Sequence, residues 1–184
     1  MRSTSLERAA LTSSDLVGAD LTDARFDRAV MLNAIMNKAI LTGATLAHAD
    51  LSGATLNEAQ FERANLTRVR LVGARLADTN FHGANLTHAD LSHAGLRRAI
   101  LDGARLHYKD FDGADLRETK LDKATGLEAG KLIKARIDHT TSLPSHLSED
   151  PAVQVCIADW EAAADEEAEA RVPDVDWEPG RQEM

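Results

Sequence analysis

The sequence predicts an all-β solenoid, and three observations carry that reading. Leu, Phe or Met stands at every fifth position from Leu6 to Leu121 without a slip, 18 Leu, 4 Phe and 2 Met in 24 positions. The residue two places earlier, from Thr4 to Thr119, is Ala in 18 of those 24 units, so each large side chain has a small companion. Glycine recurs just before the small residue, at Gly18, Gly43, Gly53, Gly73, Gly83, Gly103 and Gly113, where it eases tight backbone geometry. A helix face repeats at 3.6 and a strand face at 2, so neither explains a strict period of five. The chain must turn a corner every five residues, and an internal repeat of this kind decides the architecture.

The units read Ala-Asp-Leu or Ala-Asn-Leu: Ala19-Asp20-Leu21, Ala49-Asp50-Leu51, Ala64-Asn65-Leu66, Ala84-Asn85-Leu86 and Ala114-Asp115-Leu116. Over residues 4–124 this resembles the pentapeptide-repeat family. The resemblance implies a right-handed quadrilateral β-helix, with one pentapeptide per side and four per coil. It also implies that the large and small residues point inward and the other three outward. The 120 residues from Arg2 to Leu121 then make six coils, a rod about 29 Å long at the inter-strand spacing of about 4.8 Å. The interior is filled, each buried large side chain contributing roughly 1.5–3 kcal/mol, so no pocket is expected inside. The two ends are sheet edges that need caps.

The period fails at Gly126, where a large residue is due. Three regions follow from this: the repeat at 1–126, a cap at 127–147 and an acidic tail at 148–184. Leu127, Leu132, Ile133 and Ile137 suggest one short helix with an apolar face, weakened by Gly130. With the extended Asp138-His139-Thr140-Thr141-Ser142-Leu143-Pro144 after it, this segment is similar to the closing segment of many pentapeptide-repeat proteins. A second, amphipathic helix is expected over about 151–171, with Asp150 as N-cap and Pro151 at its first position. Val153, Ile157, Trp160 and Ala164 share one face of it and form a candidate interface. The end, Asp174 to Met184, is expected to be flexible.

Composition narrows the function classes. A single cysteine, Cys156, forbids an intrachain disulfide and makes the cytoplasm the default compartment. No secretory signal is visible at the N-terminus, and no apolar run approaches the ~18 residues of a membrane span. Net charge is −9, and its placement matters: residues 1–126 carry 16 basic and 16 acidic residues, and residues 127–184 carry 5 and 14. The repeat is neutral and the acidity is C-terminal. Some family members protect DNA gyrase from quinolones by imitating duplex DNA, which carries a charge about every 1.7 Å. Sorted by face, the Leu11 side is net −3 and the Leu21 side net −2, weak stripes for such a mimic.

The side of Leu6 is basic, with Arg8, Arg25, Arg28, Arg68 and Arg105 against Glu7 and Asp27. Taking every twentieth residue gives a candidate ladder, Arg8, Arg28, His48, Arg68, His88 and Tyr108, suited to a carboxylate, a phosphate or an acidic segment. Direct nucleic-acid binding is disfavoured by the pI near 5.2 and by the lack of a stacking platform. Val30, Leu32, Ile35 and Ile40 fall at outward positions and form a candidate apolar interface patch. Seven histidines invite a metal hypothesis, but the coil brings together at most two, His88 and His107, and zinc needs three or four ligands. No cofactor is implied. A filled rod offers no cavity for a catalytic group, and Cys156 has acidic neighbours that raise its pKa. The sequence therefore points to a non-enzymatic interaction scaffold, the alternative being a gyrase- or topoisomerase-directed DNA mimic. The partner is another protein or a second copy joined through the C-terminal region.

Overall fold

A computed structural model describes residues 3–107 and 111–169. Its organising feature is a ladder of parallel bridges joining each residue to one 20 positions on, from Ser5↔Arg25 through Asn65↔Asn85 to Arg105↔Thr125. Four pentapeptides therefore complete one coil, and each coil stacks in register on the next. The expected strands are absent among the described residues; each side makes one isolated bridge. The reason is geometric. Corners every five residues leave a straight stretch too short for an extended strand.

One side shows how the unit works. Leu46 N–H donates to Asn65 O at 2.8 Å and His48 N–H to Thr67 O at 2.9 Å, while Asn65 N–H donates back to Ala44 O at 2.9 Å. Ala49 N–H then closes a turn onto Leu46 O at 3.0 Å, with His48 at φ 62. A positive φ at the third turn residue is the mark of a type II turn, and it explains the recurrent glycines. Sixteen non-glycine residues take the same corner position at φ 54–62. The N–H left over, one residue past the large side chain, is what the Asp or Asn of the motif serves. Asp50 Oδ1 accepts from Ser52 N–H at 3.0 Å, Asn65 Oδ1 from Thr67 N–H at 3.2 Å, and Asp90 Oδ1 from Ser92 N–H at 3.1 Å. Elsewhere an Asn one coil below does it: Asn37 Oδ1 accepts from Asn57 N–H, and Asn57 Oδ1 from Ala77 N–H, both at 3.0 Å.

From Leu21 to Leu121 the described large inward side chains are fully buried, in columns one coil apart. Phe61 and Phe81 stack in one column with centroids 5.2 Å apart and planes 9° from parallel. Inward threonines donate to backbone, as Thr79 Oγ1 does to Leu56 O at 2.9 Å.

The cap differs from the sequence reading. The helix expected across Leu127–Ile137 is only four residues long, α1 (Ala129–Leu132). The chain then returns to coil geometry in a shifted register: Arg136 bridges Asp115 and Ser142 bridges Lys120, offsets of 21 and 22. Ala135 and Ile137 take a small and a large inward position, and Thr141 donates through Oγ1 to Leu116 O at 3.1 Å. Two extra residues break the period without breaking the stacking. A second short helix, α2 (Ser145–Ser148), was not foreseen. The third, α3 (Pro151–Glu169), is capped by Asp150, whose Oδ1 accepts from Ala152 N–H at 2.9 Å and Val153 N–H at 3.3 Å. The expected flexible end and the stretch beyond Glu169 lie outside the described residues.

Candidate functional site

Within the basic ladder, Arg8, Arg28, His48, Arg68 and His88 all occupy the positive-φ corner, at φ 57–62, and all are exposed. Tyr108 lies outside the described residues. Both acids of this side are engaged: Glu7 with Arg25 at 2.5 Å, and Asp27 by Thr45 Oγ1 and Ala47 N–H, each at 2.8 Å. Arg8, Arg28 and Arg68 are thus exposed cations on a side whose two carboxylates are occupied.

The apolar patch is spread out. Val30, Ile35 and Ile40 each precede an inward residue on three successive sides, so they form a belt around the rod, each about 40% exposed. Leu32 is only half-exposed and does not stand among the exposed apolar residues.

The tail-helix face divides. Val153 is fully buried in the core beside Leu132 and Leu147, and Ile157 packs partly against it. Both hold α3 on the cap, and Val153 is unavailable as an outward interface. Trp160 lies half-exposed beneath Arg136, whose guanidinium is 5.1 Å from the ring centroid, and Ala164 is exposed. His139 and Glu161 add a tether: Nδ1 to Oε1 is 2.7 Å, and His139 N–H reaches the same oxygen at 3.1 Å. The hydrogen bond and charge of each raise the His139 pKa and lower that of Glu161.

Apart from Trp160, sequence reasoning missed the other apolar stripe of α3. Pro151, Ala152, Val155, Cys156, Asp159, Trp160 and Ala163 join Ile133 around a groove of about 760 Å³. Val155 is 61% exposed, with Ile133 and Trp160 near 38%. The signal was the spacing Ala152, Val155/Cys156, Ala163, interrupted by Asp159. Burial and then the Asp159 charge push the Cys156 thiol up, so it sits in the groove as an uncharged apolar group.

Ion pairs engage six of the rod's acids, Glu7 among them. Asp78 takes two bonds from Arg98, both at 2.8 Å, while Asp50 pairs with Arg70 and Glu58 with Lys38, each at 3.6 Å. Asp115 takes Arg117 on the same side, and Glu118 takes Arg97. No helix among the described residues is long and apolar enough to cross a membrane.

The family model for pentapeptide repeats matches eight copies across residues 4–43, 44–83 and 79–117, more than half of the chain. The chain belongs to the pentapeptide repeat family. Among solved pentapeptide repeat proteins, it is similar to Rfr23 from the cyanobacterium Cyanothece 51142, with 30% identity over 59% of this chain and a TM-score of 0.36. The match spans 63% of that protein, less than two thirds of its length. A pentapeptide repeat protein from the Arabidopsis thaliana thylakoid lumen is 20% identical over 78% of this chain and 90% of its own, with a TM-score of 0.37. QnrB1, a plasmid-mediated fluoroquinolone resistance protein, is 15% identical over 79% and 84%, with a TM-score of 0.35. Scores this low transfer no activity to this pentapeptide repeat protein. No curated protein matches it.

Proposed function

We propose that this chain is a non-enzymatic scaffold, a right-handed quadrilateral β-helix of six coils that holds a protein partner at its C-terminal end in the cytoplasm. The observation that carries the reading is the groove beside α3, where Ile133, Val155 and Trp160 are exposed together on a helix anchored from beneath by Val153. Isolated exposed apolar residues are ordinary; a lined groove on a rigid support marks an interface. The partner that fits is an apolar helix or segment with a basic rim, because residues 127–184 carry a net −9 and Asp159 lines the groove. The same charge opposes a second copy there, since two such regions would bring like charge against like.

Gyrase-directed mimicry is the less favoured reading. A mimic needs free carboxylates in dense array, and the pairing of Asp50, Glu58, Asp78 and Glu118 with cations works against that. The test is capture of partners by the intact chain and by Val155→Glu. We expect the captured protein to be lost from the variant with thermal unfolding unchanged. Equal capture by both would refute the groove. A supercoiling assay with and without quinolone tests the alternative: protection of gyrase would replace the scaffold reading.

A further inference from the structure

The two ends of the rod differ. At the C-terminal end, Arg136 and Ser142 pair with the last coil, and Leu132, Ala135, Ile137 and Val153 cover its interior. At the other end nothing among the described residues lies beneath the first coil. Leu6, Leu11 and Leu16 are only partly buried where every later described inward Leu to Leu121 is fully buried, and Val17 beside them is 52% exposed.

The backbone of this end has a specific pattern. The residue before each large side chain directs both its N–H and its C=O toward the preceding coil. Val30 N–H donates to Ala9 O at 2.9 Å and Val30 O accepts from Leu11 N–H at 2.7 Å; Ile35 does the same with Ser14 and Leu16, at 2.9 and 2.7 Å. In the first coil the equivalent residues are Ser5, Ala10 and Asp15, and among the described residues neither backbone group of any of them has a partner on that side. A residue that presents both groups to one side serves a parallel neighbour, as Val30 does here, and equally can exchange both bonds with one residue of an antiparallel neighbour.

We propose that this end face is a self-association surface. Two copies meet first coil to first coil about a twofold axis perpendicular to the rod, and Ala10 of each pairs its backbone with Asp15 of the other. A second flipped copy runs its sides antiparallel to the first, as this pairing requires. Three arguments favour a second copy as the occupant. A square edge with such residues on successive sides is matched by another edge of the same shape. The repeat has no net charge to oppose the contact, in contrast with the C-terminal region. And because the C-terminal end is covered, head-to-tail growth has no edge to accept it, so the contact closes as a dimer.

Charge selects the axis. An axis through the corner of Ser13 sets Ala10 against Asp15 in both directions. An axis through the middle of the Asp15 side would oppose Asp15 to its own twin, and one through the corner of Arg8 would oppose Arg8 to Arg8. The Asp15 carboxylate is folded back onto its own side, Oδ1 accepting from Val17 N–H at 3.1 Å, which keeps it off the end face. The dimer itself stands apart from the scaffold reading. If that reading holds, the dimer carries two C-terminal grooves at opposite ends and becomes bivalent.

The experiment is sedimentation of the full chain over a concentration series reaching about 300 µM, since small end faces associate weakly. We expect a monomer–dimer equilibrium that Val155→Glu leaves unchanged and Ala10→Pro, which removes one N–H donor, weakens at least tenfold. A monomer at every concentration, or a dimer abolished by Val155→Glu and kept by Ala10→Pro, overturns the proposal. A second measurement does not depend on how the proline variant folds. Paired residues of this kind lie about 5.5 Å apart at Cα, within disulfide range. In a Cys156→Ser background, mild oxidation of a mixture of Ala10→Cys and Asp15→Cys chains should give mixed covalent dimers, and neither variant alone should. Absence of mixed dimers, or equal yield from single variants, refutes the pairing.

Discussion

Replacing Phe81 tests whether the columns of inward side chains hold the rod as a stack. Phe81 is fully buried, stacked on Phe61 at 5.2 Å, and lies between Phe61 below and Leu101 above in one column. Phe81→Ala removes most of a ring from a site closed on all sides by neighbouring coils. Truncation of a buried Phe costs about 3–5 kcal/mol, and a rod with a coil on either side has little freedom to collapse, which favours the upper half of that range. Phe81→Leu is the internal control. Leu41, Leu101 and Leu121 occupy the same column, so the backbone accepts Leu, and the loss reduces to the aromatic pair, about 0.5–1.5 kcal/mol, plus a small volume change. Urea titration of the full chain by far-ultraviolet circular dichroism gives both values. Because a stacked solenoid is held by nearest-neighbour interfaces, Phe81→Ala should also lower the urea m-value as the halves begin to melt separately. A loss below about 1 kcal/mol for Phe81→Ala, well under the range for a buried Phe, would refute the reasoning. So would a Phe81→Leu loss as large as that of Ala.

Thr79→Ala should cost about 0.5–1.5 kcal/mol in the same titration, the net worth of one hydrogen bond, and no more, because Leu56 O keeps its bond from Ala59 N–H and Ala is the usual residue at that position. Gly113→Ala should destabilise by roughly 1–2 kcal/mol from its positive φ. Its new Cβ would also clash with the His93 ring; a cycle with His93→Ala should recover the contact part and leave the backbone part. The His139–Glu161 tether should be pH-dependent, followed by Trp160 fluorescence. His139 is raised, so its contribution is full below the ordinary His value and fades as pH rises through its folded value. Glu161 is lowered, so its contribution is full above the ordinary Glu value and fades as pH falls through its folded value. The tether is strongest between about pH 4.3 and 6.5, and Glu161→Gln should flatten the alkaline limb.

The inward columns were legible because burial leaves few choices: a closed corner accepts Ala and a filled axis accepts Leu or Phe. The Asp and Asn of the motif were visible too, although their work, serving the N–H of the residue two places on, needed the geometry. The short cap helix was foreseen, but the return to coil geometry after it was not, for a definite reason. Counting in fives from Leu121 lands on Gly126, Lys131, Arg136 and Thr141, whereas insertions move the large inward positions to Ile137 and Leu143 and the small ones to Ala135 and Thr141. The pairs Ala135-x-Ile137 and Thr141-x-Leu143 kept the two-residue spacing of the motif and were the available signal. On α3, an amphipathic pattern finds a face but not its direction. Val153 and Ile157 turn inward because the cap offers Leu132 and Leu147 to cover them, and the groove on the Val155 side opens as a consequence.

The repeat itself explains why its sides say little about partners. Each side satisfies most of its N–H groups with the adjacent coils, and many sides add an Asp or Asn, so most outward side chains are under no structural obligation, and a column such as Arg8, Arg28, His48 and Arg68 folds as well as any other polar set. Obligation returns where the stacking stops. An end is either covered, as Arg136, Ser142 and Val153 cover the last coil, or, as among the described residues at the first coil, it leaves the backbone groups of Ala10 and Asp15 without a partner on one side and Leu6 and Leu11 half-buried. The helix that covers one end carries two apolar stripes, one buried through Val153 and the other exposed at Val155. On the two proposals made above, the covered end would take a foreign partner and the first coil a second copy. Variants along the sides should leave binding unchanged, while single substitutions at residues 10 and 155 should separate self-association from partner capture.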